Sequence, residues 1–190
     1  MKNIISALAI AAITFASCNN ADKKNTNADA KIDSSATSIH SDIVQSQSEL
    51  PIHGILTGYL NLKNSLAADN GNDAAKNGQE ILDAVSKFNA SALTPEQKKV
   101  FLGLVGDIKE NSEHINKNGD KIDHQREHFE MLSKDMYDLL KATGVSKTMY
   151  LDSCPMYDGG KGTWLSEMKE IKNPYLGKKM PTCGSIKETL

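Results

Sequence analysis

Between Ile55 and Leu139 the apolar residues recur every three or four positions, in four successive stripes separated by short polar breaks. That period is the signature of amphipathic helices, each with one face turned to a shared core. The first stripe is Ile55, Tyr59, Leu62 and Leu66, closed by Asp69-Asn70-Gly71-Asn72; the second is Ala74, Gly78, Ile81, Val85 and Phe88. The third has the best-defined start: Thr94 suits the cap, Pro95 the first helical position, and Gln97 completes a capping box ahead of Phe101, Leu104, Ile108 and Ile115. Asn118-Gly119 stops it, and Asp120 is placed to cap a fourth helix with Ile122, Phe129, Leu132, Met136 and Leu139 inward and Gly144 at its end. Four amphipathic helices on short connections predict an all-α domain, an up-down four-helix bundle. An aromatic share of only 5% agrees with helices better than with a β-sandwich.

Past Gly144 the helical period disappears. Tyr150 to Leu190 carries Pro155, Pro174 and Pro181, five glycines, Cys154, Cys183 and the only tryptophan, Trp164. The expectation is an irregular Cys/Met-containing segment packed on the bundle, with Trp164 and Tyr175 as its apolar anchors. Asp158-Gly-Gly-Lys-Gly-Thr163 lacks the spacing of a phosphate loop and reads as a turn.

The other end of the chain has a different character. Lys2, the apolar run Ile4–Phe15 and the small residues Ala16 and Ser17 read as an export signal over residues 1–17. Phe-Ala-Ser-Cys18 resembles the lipobox of bacterial lipoproteins, which implies acylation of Cys18 and attachment to a membrane through an N-terminal lipid. Residues 18–50, rich in Asn, Asp, Ser, Ala, Lys and Thr, bury too little to offset their ordering entropy and read as a disordered tether. Residues 51–190 are long enough for one domain. The expected location is the cell envelope, facing the periplasm or the surface. A net charge of −2 speaks against a nucleic-acid partner.

Two sulfur pairs stand out, Cys154-Pro-Met156 and Met180-Pro-Thr-Cys183. Thiolate and thioether are soft donors that favour Cu(I) over hard cations. On the fourth helix His124, His128 and Met131 share a lateral strip, and His128 is placed to meet a segment folded over it. His114, His53 and His40 have no motif support, and His124 alone reads as part of a solvated face. Oxidised cysteines offer a different outcome. In an oxidising compartment Cys154 and Cys183 would close a loop of about 30 residues, which would contribute ~3–4 kcal/mol. A thiol enzyme built on Cys154 and His128 lacks a third orienting residue and an oxyanion device, so no enzyme is expected.

The motifs His128-Phe129-x-x-Leu132-Ser133, Cys154-Pro-Met156-Tyr157, Trp164-Leu165-Ser166, Asn173-Pro174-Tyr175 and Met180-x-x-Cys183-Gly184 together resemble a bacterial domain of unknown function, over roughly residues 52–190. That domain occurs as small lipoproteins and fused to the periplasmic adaptors of copper/silver efflux pumps. Cys-Pro-Met is also similar to a short heavy-metal-binding domain of metal pumps, with Tyr157 here where that pattern has His. The resemblance implies a place in heavy-metal handling outside the cytoplasm. Together with the soft donors, the expectation is a module that binds copper, as Cu(I), through Cys154, Met156, Cys183, Met180 and His128, for capture or hand-over to a heavy-metal efflux adaptor. The competing expectation is a structural or interaction lipoprotein stapled by its two cysteines.

Overall fold

The computed structural model describes residues 51–190; the expected signal (1–17), Cys18 and the tether (18–50) lie outside the described residues. Four helices come first: α1 (His53–Ala67), α2 (Gly71–Lys87), α3 (Pro95–Lys117) and α4 (Ile122–Thr143). Their starts and stops follow local chemistry. The Asn70 side chain accepts the Asp73 N–H at 3.1 Å and so caps α2. Thr94 Oγ1 accepts the Gln97 N–H at 3.3 Å while Gln97 Oε1 accepts the Thr94 N–H at 3.0 Å, a complete capping box. Lys121, not Asp120, occupies the cap position of α4, and no side chain caps it there. Gly144 ends α4 at φ +85°, a conformation glycine adopts without penalty. The expected stripes face inward: Tyr59, Leu62, Leu66, Ile81, Ile108, Ile115, Phe129, Leu132, Met136 and Leu139 are fully buried.

The domain is not all-α. Three strands follow the helices, β1 (Tyr150–Cys154), β2 (Gly162–Ser166) and β3 (Ser185–Thr189), in an antiparallel sheet of order β2-β1-β3. The expected irregular segment is therefore a small sheet on a helical layer, and the protein is of mixed α/β class. The physical reason is visible in β1. Paired on both edges and covered, it buries Tyr150, Asp152, Ser153 and Cys154, so no apolar/polar alternation marks it as a strand. β3 is the opposite case, a mostly exposed polar edge strand. The β1–β2 turn carries Asp158, Gly159 and Gly160 at positive φ (37°, 66° and 91°), which explains its glycine-rich sequence.

A few groups pin the sheet to the bundle. The Tyr59 hydroxyl hydrogen-bonds Ser133 Oγ at 2.8 Å and accepts the Leu165 N–H at 3.0 Å, joining α1, α4 and β2. Phe129 lies between Tyr59 (centroids 5.3 Å) and Tyr175 (5.6 Å), and Trp164 packs edge-on to Tyr175 at 5.9 Å. Arg126 is a clasp. It donates to the carbonyls of Pro174 (2.9 Å) and Leu66 (3.2 Å) and to Asp69 (2.5 Å). Gly177 sits so close that a Cβ there would collide with the Asp69 carboxylate. Beneath the sheet, buried Lys63 donates to Glu167 at 3.0 Å and Ser166 Oγ at 3.4 Å. The Asp152 carboxylate and the Trp164 indole N–H, on residues paired across β1 and β2, are buried beside each other. Burial raises the Asp152 carboxyl to about 6.

Candidate metal centre

α3 and α4 form a helical hairpin across the short turn Asn118–Lys121. The turn brings the last turns of α3 against the first turns of α4. His114, one turn from the end of α3, thereby meets His124 and His128, which share a face of α4 at a spacing of four. The His114 and His128 rings stack with centroids 4.2 Å apart, and His124 meets His128 edge-on at 4.6 Å. One ligand-capable nitrogen from each ring lies within 4.8 Å of the others. Among the described residues no other histidine, cysteine or carboxylate joins that group.

The surroundings prepare two of these rings for a cation. His128 Nδ1 is 3.0 Å from the Asn111 side-chain oxygen, and Asn111 is itself oriented by donating to the Asp107 carbonyl at 3.0 Å. His124 Nδ1 is 3.2 Å from the Glu127 carboxylate. Both oxygens only accept, so each Nδ1 carries the proton and each Nε2 is left with its lone pair. Outer partners on one ring nitrogen are the usual way a protein orients an imidazole toward a metal on the other. Burial, and then the neighbouring His114 and His124, push the His128 pKa below its ordinary value, a shift toward the neutral ring. The cluster is open on one side: His114 is exposed, His124 and His128 half-buried.

The sulfur atoms lie elsewhere in the fold. Cys154, at the buried end of β1, and Cys183, ahead of β3, place their sulfurs 2.8 Å apart. The Met156 backbone N–H points at the Cys183 sulfur, and the hydrogen bond with Cys154, with burial, raises the Cys183 thiol. The structure thus brings Cys154 and Cys183 together, but His128 joins two histidines rather than the sulfurs. Met156 and Met180 are 66% and 39% exposed. Two thiolates around one tetrahedral ion at about 2.3 Å would stand ~3.8 Å apart, well beyond the separation found here.

Sequence reasoning weighed His128, ranked His124 below it and set His114 aside. The missing signal was the turn. Folding the chain back at Asn118–Lys121 places residue 114 opposite 124–128, and that operation requires both helices to be in hand first.

Residues 55–148 match the family described as protein of unknown function (DUF3347). The matched span contains all four helices but for the start of α1, and with them all three clustered histidines. It stops before β1, so the sheet and both cysteines fall outside it, although the sequence resemblance drawn above rests largely on motifs there. No curated protein and no solved structure matches the chain.

Proposed function

We propose that this protein is a membrane-tethered, extracytoplasmic module that binds a transition-metal ion, copper before others, at His114, His124 and His128, and serves metal efflux or hand-over. One observation carries the reading: three imidazoles converge from a rigid helical hairpin, two of them with Nδ1 already hydrogen-bonded. Imidazole suits copper and zinc, and among divalent ions a nitrogen site holds Cu²⁺ most tightly. The export signal and Cys18 support a place outside the cytoplasm. The resemblance to domains fused to copper/silver adaptors supports the link to efflux. Cys154 and Cys183 then act as a staple for the sheet, in keeping with their separation and with the exposure of Met156 and Met180.

The test is competition for copper against a chromophoric chelator, in both oxidation states. Wild type is expected to take one ion per chain. His114→Ala and His124→Ala each weaken binding by more than the ~10–100-fold that loss of an outer partner costs. The Cys154→Ser/Cys183→Ser double variant keeps wild-type affinity. Unchanged affinity in the histidine variants overturns the reading. Loss of binding confined to the cysteine variant returns the ion to the sulfur set.

A further inference from the structure

Resting on that reading, we infer that the ion held by His114, His124 and His128 keeps one coordination position for a small exogenous donor, water or a monovalent anion. Three protein ligands leave a tetrahedral ion one short, and protein sites of that kind are completed by an exchangeable molecule. Among the described residues no other histidine, cysteine or carboxylate comes within reach of all three rings. Glu127 is committed to His124 Nδ1, and the Asn111 oxygen to His128 Nδ1. The cysteine sulfurs face each other across the sheet. Solvent does have access, because His114 is exposed and the His124 side chain is 37% accessible. A position filled from outside is also where an acceptor's donor atom would first bind, so the same vacancy gives hand-over a route by ligand exchange.

Co²⁺ is the probe, since its visible bands report coordination and it takes the same nitrogen donors. Full-length protein is titrated with Co²⁺ and then with sodium azide. The expected result is tetrahedral or five-coordinate bands at one ion per chain, shifted saturably by azide, and lost in His128→Ala. Bands that ignore azide mean a protein donor fills the fourth position, and this inference falls while the metal site stands. An absence of bands with wild type removes the site and the inference together. A five-coordinate spectrum that converts to a new azide-bound form supports it equally.

Discussion

The α3–α4 hairpin and the C-terminal sheet treat their reactive side chains in opposite ways. In the hairpin, caps and apolar stripes make the frame, and the three histidines gather on it, two of them with Nδ1 hydrogen-bonded. In the sheet, almost nothing is local. Five-residue strands with little apolar content are held by Trp164, Tyr175, Arg126 and Tyr59, and a cysteine is buried within the anchoring layer. The contrast is one of placement: sulfur, the softer donor, sits in and beside the buried anchoring layer, and imidazole gathers at a face open to solvent.

The sharpest way to break this contrast is Trp164→Ala, which empties the largest fully buried side-chain position. We expect a loss of ~3–5 kcal/mol by denaturant unfolding, with copper affinity at the hairpin nearly intact. A proportional loss of both would mean that the hairpin leans on the sheet. Next in size is the cysteine pair. Once bridged, its reduction or the double serine variant should lower stability by ~3–4 kcal/mol, measured as the urea midpoint with and without reductant.

Asp152 gives a pH signature to the sheet alone. Its folded pKa, about 6, lies above the unfolded value, so folding favours the protonated form. The contribution is present below about pH 4 and is lost as pH rises through 6. Asp152→Asn should therefore stabilise the protein at pH 7, by up to ~2–3 kcal/mol on a shift of about two units, and make no difference at pH 4. A pH-independent effect would show that Lys63 compensates the charge fully. The smallest effect concerns the hairpin: Asn111→Ala frees the His128 ring and should weaken copper binding ~10–100-fold, with the urea midpoint moving little.

The helices were readable because each carries its own evidence. Thr94, Pro95 and Gln97 write the start of α3 into three residues, and Leu62 and Leu66 or Leu132, Met136 and Leu139 repeat at the helical period. The strands were not readable because Tyr150-Leu-Asp-Ser-Cys154 owes its conformation to neighbours on both sides, and buries Asp152 and Ser153 where alternation would put one of them outward. The proximity of the two cysteines was legible as a possibility, because the expected export placed two isolated thiols in an oxidising compartment. The histidine cluster was half legible: the His124–His128 spacing lies within one helix, whereas His114 arrives from another.

Arg126 has a consequence for timing. Its guanidinium grips the end of α1, through Leu66 and Asp69, and the Pro174 carbonyl in one hand. All four helices precede Pro174 in the chain, so the ion pairs of Arg126 to Asp69 and Asp123 can form first. The Nε donor finds its acceptor only when the Pro174 carbonyl is in place, so the clasp is completed last, by the C-terminal segment.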